Sequence, residues 1–147
     1  MAALLLGTYF PKLDDKGRLI LPAKFWDEFQ HGVVITHGQD GCLYLYSQRE
    51  FEGLYARMQE RLPRLGRAGR DYVRTLLGGA TQEVPDAQRR ITIPPLQREY
   101  AGLERELTAV GIGNHVELWD SAAWGRLAPE AAANFAQIDG EVIADLF

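Results

Sequence analysis

An internal repeat constrains the fold of this chain more than any other feature of the sequence. Residues 14–22 (Asp-Asp-Lys-Gly-Arg-Leu-Ile-Leu-Pro) align with residues 86–94 (Asp-Ala-Gln-Arg-Arg-Ile-Thr-Ile-Pro) at a constant offset of 72, and the Asp, Arg and Pro coincide. With one residue inserted, Leu45-Tyr46 falls on Leu118-Trp119. The pattern indicates a tandem duplication. Each copy spans roughly 45 residues, too few for an adequate core, so the copies are expected to share one core or to assemble further.

Within each copy the pattern predicts two strands, a short helix and two more strands. A turn at residues 14–17, with Gly17 where a positive φ is needed, predicts a hairpin, and Pro22 can begin the short helix. A second turn is predicted at Gly111-Ile112-Gly113-Asn114. The predicted strands are 8–13, 18–21, 33–37 and 42–46 in the first copy, and 106–110 and 115–119 in the second.

Helices are predicted between and after the two copies. Ser47 and Glu50 form a capping-box pattern, and the apolar residues that follow recur at helical spacing until Pro63. A second helix is predicted over about 68–77, closed by a Gly-Gly pair. After the second copy, a matching element begins near Ser121, and a last helix is predicted from Pro129 to about Phe147. Together these elements predict an α+β protein.

The charge of the chain is divided between its two parts. The net charge is −4, yet residues 1–98 carry a balance of +3 and residues 99–147 a balance of −7. After Arg126 the chain has only acidic charges. An acidic total therefore does not exclude a phosphate-binding face on the basic part.

The sequence lacks the patterns of an enzyme or a metal site. His31, His37 and His115 are scattered, without the spacing of zinc ligands. Cys42 lies in an apolar strand pattern, which favours a small buried side chain over a nucleophile. A P-loop, a dinucleotide fingerprint and a nucleophile elbow are all missing from the sequence. We therefore expect no enzymatic activity, no metal and no cofactor.

Two further patterns concern the compartment. A single cysteine cannot close an intrachain disulfide, and the start of the chain has no signal-peptide pattern. The longest apolar run near the start falls far short of the roughly 20 residues needed to cross a bilayer. We expect a cytoplasmic protein with no membrane span.

The duplicated turn is the best candidate for function. Asp14 and Arg18 bracket the first turn, and Asp86 and Arg90 bracket the second. A purely structural interpretation has the Asp accept turn N–H groups and the Arg form an exposed ion pair of little energy. Stability alone rarely fixes an exposed turn arginine in two copies, so a shared task is favoured. The planar guanidinium suits phosphate or the edge of guanine, and each Asp would orient its Arg.

Further basic residues surround these turns. Lys12, Lys16 and Lys24 accompany Arg18, and Arg89 adjoins Arg90. The segment between the copies adds six arginines, mostly three or four residues apart: Arg57, Arg61, Arg64, Arg67, Arg70 and Arg74. This band has two interpretations, which are a solvated helix face or a surface that pairs with the acidic tail of a neighbouring subunit.

These residues resemble the MraZ family of bacterial transcriptional regulators over nearly the whole chain. The resemblance rests on Gly7-Thr8-Tyr9, the run 13–19 with Leu21-Pro22, the repeat 86–94, and the segment 116–120. It implies two tandem swapped-hairpin domains of the SpoVT-AbrB type with connecting and C-terminal helices. The corresponding segments are domain 1 at 7–54, a helical linker at 55–79, domain 2 at 80–124 and a helical tail at 125–147.

The resemblance also implies a function. Family members form ring-shaped homo-oligomers that bind double-stranded DNA at direct repeats in the promoter of the division and cell wall gene cluster, which usually begins with their own gene. For this chain it implies a repressor of its own operon, associated with the nucleoid. The family's DNA-contacting arginines fall on Arg18 and Arg90 with Asp14 and Asp86 as motif partners, and Lys16 matches the first motif.

One departure and one alternative stay open. Arg89 stands in the second copy where Gly17 stands in the first, which leaves open whether both turns share one geometry. Arg89 and Lys12 are added to the DNA-binding candidates because they adjoin the motifs. The alternative function is a protein-interaction module, antitoxin-like or a scaffold, whose arginine turns bind acidic partners.

Overall fold

The two repeat copies interleave in one antiparallel sheet. The computed structural model describes residues 4–146, and the secondary structure below refers to these residues. The strands are β1 Leu5–Tyr9, β2 Arg18–Ile20, β3 Val33–His37, β4 Leu43–Tyr46, β5 Thr81–Glu83, β6 Arg90–Thr92, β7 Leu107–Gly113 and β8 Val116–Asp120. The α-helices are α1 Trp26–Phe29, α2 Gln48–Arg61, α3 Gly66–Gly78, α4 Pro95–Ala101 and α5 Ser121–Ala136.

Strand pairs between the two copies occur in both sheets of the fold. The main sheet has six strands in the order β1-β7-β8-β4-β3-β5, so β1, β4 and β3 of the first copy pair with β7, β8 and β5 of the second. The remaining strands, β2 and β6, form a separate two-stranded ribbon. Buried residues from both copies lie in one hydrophobic cluster. This α+β arrangement confirms the predicted fold class and the prediction that the copies share a core.

The predicted hairpin over residues 8–13 and 18–21 is wrong as a strand pair, although its turn forms. β1 ends at Tyr9 and pairs with β7, while β2 pairs with β6. Between them, Lys12 makes a single bridge to Glu106. Each strand therefore finds its partner in the other copy, as the swapped-hairpin resemblance implies.

The turn predicted at residues 111–114 is also misplaced. β7 continues to Gly113, so only Asn114 and His115 separate it from β8. Gly111 lies within the strand, and a Cβ there would sit 2.6 Å from the backbone carbonyl carbon of Leu5 on β1. Glycine is needed at this position for the close approach of two strands and does not mark a turn.

The helices between the copies confirm the predicted pattern. The Ser47 hydroxyl accepts a hydrogen bond from the Glu50 backbone N–H at 3.2 Å and caps α2. Pro63 ends this helix in a 3-10 turn over Leu62–Leu65, and α3 then runs to Gly78. The result is a helical hairpin that packs on β3 and β4.

The helix predicted from Pro129 to Phe147 is wrong in its bounds. α5 begins at Ser121, because the Asp120 carboxylate accepts from the backbone N–H of Ala122 at 3.2 Å, and it continues through Pro129 to Ala136. Beyond it the chain forms turns and a short 3-10 helix over Ala144–Leu146. Phe147 lies outside the described residues.

Three observations bear on the cysteine, metal and membrane predictions. Cys42 is buried, as the apolar strand pattern predicted, and burial raises the pKa of its thiol to about 12. Within residues 4–146, His, Cys, Asp and Glu side chains form no group of three that could hold a metal ion. In the same part of the chain, no helix is long and apolar enough to cross a membrane.

Candidate nucleic-acid interface

The first repeated turn is organised around one carboxylate. Asp14 Oδ1 accepts hydrogen bonds from the backbone N–H groups of Lys16 at 2.9 Å and Arg18 at 2.8 Å. Its Oδ2 accepts from Arg18 Nε at 2.9 Å. These bonds, the backbone bond from Arg18 foremost, lower the pKa of Asp14 below its ordinary value. The carboxylate thus fixes both the turn and the arginine side chain.

The second turn repeats this geometry in full. Asp86 Oδ1 accepts from the backbone N–H groups of Gln88 and Arg90, both at 2.9 Å, and Oδ2 accepts from Arg90 Nε at 2.7 Å. The pKa of Asp86 is lowered, chiefly by the backbone bond from Arg90. Gly17 and Arg89 both have positive φ, 76° and 63°. The two turns therefore share one backbone geometry, although a non-glycine residue in this conformation is strained.

The ribbon places both arginines on one surface. In the β2–β6 pair, Arg18 lies opposite Thr92 and Ile20 lies opposite Arg90. Successive residues of a strand point to opposite faces, and Leu19 and Ile91 are buried in the core. Arg18 and Arg90 therefore lie on the outer face as diagonal neighbours, a position that puts their Cα atoms about 7–8 Å apart.

Both guanidinium groups are held in place yet accessible. The side chains of Arg18 and Arg90 are 28% and 29% exposed. Each uses Nε for its Asp, and within the described part of the chain the Nη groups have no hydrogen-bond partner. An oriented guanidinium of this kind can donate two parallel hydrogen bonds to a phosphate or to guanine O6 and N7.

The other predicted site residues lie at different distances from this centre. Lys16 is exposed at the tip of the first turn, and Arg89 is half-buried beside Arg90. Lys12 is exposed on the connection between β1 and β2, where its Nζ lies 3.8 Å from the Glu106 carboxylate. Lys16 and Arg89 thus adjoin the ribbon, whereas Lys12 already has an acidic neighbour.

Comparison with known proteins identifies the family. A family model described as "MraZ protein, putative antitoxin-like" matches residues 4–65 and 76–145, which is most of the chain. The chain belongs to the MraZ family. The resemblance on the repeated motifs is thereby confirmed.

Close relatives agree with this assignment. The transcriptional regulator MraZ of Leifsonia xyli is 49% identical over 144 residues, which span 98% of this chain and the full length of the relative. The transcriptional regulators MraZ of Clavibacter michiganensis and Micrococcus luteus are 51% and 47% identical over the same shares of both chains. MraZ proteins are transcriptional regulators and not enzymes, as expected from the sequence.

The structure places one more cation, Arg98, beside the first turn, where the spacing of the motifs did not predict it. Ile93 of the second copy donates its backbone N–H to the Gly17 carbonyl at 2.8 Å, and this brings α4 beside the first turn. Arg98 on α4 packs so closely that a Cβ on Gly17 would lie 2.9 Å from its guanidinium carbon. No local sequence pattern signals this contact, because it depends on the pairing of β2 with β6.

The six arginines of the helical hairpin are all exposed in the structure. They lie on α2, on α3 and on the turn between them, which pack on a different part of the fold from the ribbon. Asp71 makes ion pairs with Arg67 at 3.9 Å and with Arg74 at 3.2 Å. The basic band and the arginine ribbon are therefore two separate surfaces.

Proposed function

We propose that this chain regulates transcription by binding double-stranded DNA sequence-specifically with the outer face of the β2–β6 ribbon. The observation that carries the proposal is the pair of Asp-held arginines on that face. The major groove of B-DNA admits a two-stranded β-ribbon, and several known regulators read it in this way. Arginine is the side chain best suited to guanine edges in this groove.

The proposed roles follow from position. Arg18 and Arg90 contact bases or phosphates, and Asp14 and Asp86 hold them in the orientation that these contacts need. Lys16, Arg89 and Lys12 add phosphate contacts, which carry affinity without sequence information. Lys12 contributes least, because Glu106 partly neutralises it.

The proposed target and assembly come from the family resemblance. A ring-shaped homo-oligomer presents many ribbons in the same sense, which suits direct repeats better than palindromes. Linked contacts raise the apparent affinity through effective concentration. We infer binding to direct repeats in the promoter of the chain's own operon, the division and cell wall gene cluster, with repression as the outcome, by a cytoplasmic, nucleoid-associated protein.

The test compares arginine variants on specific and scrambled DNA across a salt series. We expect Arg18→Ala and Arg90→Ala each to weaken binding to promoter DNA by about 1–3 kcal/mol per monomer contact, and more within an oligomer. Arg126→Ala, an exposed arginine of α5, is the matched control and should bind like the wild type. Unchanged binding by the double variant, while it remains folded and oligomeric, would rule out the ribbon as the DNA surface.

A second candidate function is a protein-interaction module that uses the arginine turns to bind an acidic partner. The antitoxin-like description of the family model favours it. Purification from native extract separates the two candidates. A stoichiometric protein partner that survives nuclease treatment and is lost in Arg18→Ala and Arg90→Ala would support this function over DNA binding.

A further inference from the structure

An apolar groove runs along the helical hairpin, away from the ribbon. It lies between α2 and α3 and the turn that joins them, and it has a volume of about 670 Å³. Met58, Leu62, Val73 and Leu77 line its floor, with Tyr55 at its edge. An accessible apolar groove of this size between two helices can accept the apolar side of another helix or segment.

The rim of this groove is strongly basic. Arg70 and Arg74 line it directly, and residues 57–74 carry six arginines against only Glu60 and Asp71. All six arginines are exposed. A segment that fits this groove must therefore combine apolar side chains with negative charge.

The tail of the chain has that composition. Residues 127–147 contain four acidic residues and no basic one: Glu130, Asp139, Glu141 and Asp145. Among them stand large apolar side chains that the fold leaves exposed, with Phe135 at 80%, Val142 at 70% and Leu146 at 74%. With Ile138, four large apolar side chains are exposed within the twelve residues 135–146, a density that favours an interaction surface.

Within one chain the tail and the groove belong to different parts of the fold. α5 packs on β7 and β8, whereas α2 and α3 pack on β3 and β4. The apolar residues of the tail remain exposed in the single chain, so its own groove does not cover them.

We propose that the acidic tail, residues 127–147, of one copy docks into the arginine-rimmed groove between α2 and α3 of a neighbouring copy. This inference deepens the proposed homo-oligomer and rests on it. The tail brings four negative charges to a segment with a net charge of +4. Tail and groove are different surfaces, so the contact is head-to-tail, and such contacts close into a ring when the rotation permits. The docked tail also neutralises the band of arginines, which leaves the ribbon as the basic surface for DNA.

Disulfide cross-linking tests the contact directly. Cys42, the one native cysteine, is buried, so introduced cysteines are the ones that react. One full-length chain carries Gln59→Cys on the groove, and a second, tagged chain carries Val142→Cys on the tail. After co-expression and mild oxidation we expect a disulfide-linked dimer of one chain of each kind. The control pair combines Val142→Cys with Gln88→Cys, an exposed position on the second turn, and should give at least tenfold less product.

Charge reversal supplies a second arm with its own rescue. Arg70→Glu with Arg74→Glu should lower the cross-linked fraction severalfold, and Asp139→Arg with Glu141→Arg in the tail should restore it. All four side chains are exposed, so folding, followed by circular dichroism, should be unchanged.

The possible failures lead to different conclusions. Cross-linking no better than in the control pair would overturn the docking and leave the groove to another partner. A bond formed only when Gln59→Cys and Val142→Cys share one chain would overturn it in favour of docking within the chain. If oligomer mass and DNA binding persist without the cross-link, the docking alone is wrong. If the cross-link forms but the ribbon variants bind DNA normally, the proposed DNA surface is wrong and the docking stands.

Discussion

The two repeat copies keep the same turn but differ in the strand before it. β1 of the first copy pairs with β7 over five residues, whereas β5 of the second copy pairs with β3 over only three. The second copy enters its first strand directly from α3, which ends at Gly78. The second copy therefore has fewer ladder hydrogen bonds at this edge of the sheet.

One buried side chain compensates for the shorter strand. Gln97 occupies the repeat position of Phe25, and both are buried. Gln97 Nε2 donates to the Ile35 carbonyl at 2.9 Å and to the Gly79 carbonyl at 2.7 Å. An amide side chain thus satisfies acceptors beside the end of the short β3–β5 ladder. A duplicated element can therefore lose strand pairing when a polar side chain supplies the hydrogen-bond donors that the missing strand residues would have provided.

Removing this amide should have the largest effect. Gln97→Leu keeps the volume and removes the buried Oε1, which has no partner among the described residues, but it leaves two carbonyls without their donor. We therefore expect the free energy of unfolding to fall by about 2–3 kcal/mol. Urea unfolding at a fixed protein concentration measures the change. Gln88→Leu, at an exposed position of the second turn, is the control and should shift the midpoint little. Equal midpoints for the two variants would show that the Gln97 hydrogen bonds do not support this edge.

The turns differ in one residue, and that difference gives the next prediction. Gly17→Ala places a side chain at φ 76° and 2.9 Å from the Arg98 guanidinium. The guanidinium can move aside, so backbone strain dominates and we expect a loss of about 1–2 kcal/mol. Thermal or urea unfolding measures it.

The reciprocal substitution at the second turn should raise the free energy of unfolding. Arg89→Gly removes the strain at φ 63° but makes the unfolded chain more flexible, which leaves a net gain of about 0.5–1 kcal/mol. If Arg89→Gly destabilises the protein, contacts of the Arg89 side chain outweigh the strain, and the two turns are not energetically alike.

Local chemistry explains what the sequence predicted correctly. The Asp14 and Asp86 turns, the Ser47 cap and the break at Pro63 are each set by residues within a few positions of one another. Strand partners are not local, since periodicity identifies a strand but not the strand beside it. The predicted turn at Gly111 is wrong for this reason, because its ladder partner Gly7 is more than a hundred residues away in sequence.

The candidate site divides in the same way. The Asp–Arg bonds at both turns follow from the four-residue spacing, whereas the approach of Arg98 to Gly17 depends on the pairing of β2 with β6. The prediction that a helix begins at Pro129 is wrong for a related reason. Proline is favoured at a helix start, but α5 starts earlier, where Asp120 caps it. Packing of α5 on β7 and β8 stabilises this longer helix, which continues through Pro129.

Acid titration tests what the two turns share, and its effect should be the smallest. The pKa values of Asp14 and Asp86 both lie below the ordinary 3.8, chiefly because backbone N–H groups of Arg18 and Arg90 donate to the charged carboxylates. A lowered folded-state pKa gives stability that is fully present above the unfolded value and is lost as the pH falls through the folded value. Stability should therefore decline below about pH 4. The Asp14→Asn, Asp86→Asn double variant should decline less over this range.

The carboxyl carbon shifts of the two residues, followed by NMR, report each turn separately. Midpoints below 3.8 at both residues would indicate that the two turns hold their carboxylates alike, whichever residue occupies the strained position. A normal midpoint at Asp86 with a lowered one at Asp14 would mean that Arg89 distorts the second turn in solution. In that case Arg90 would be less well oriented than Arg18, and the first copy would dominate binding to DNA.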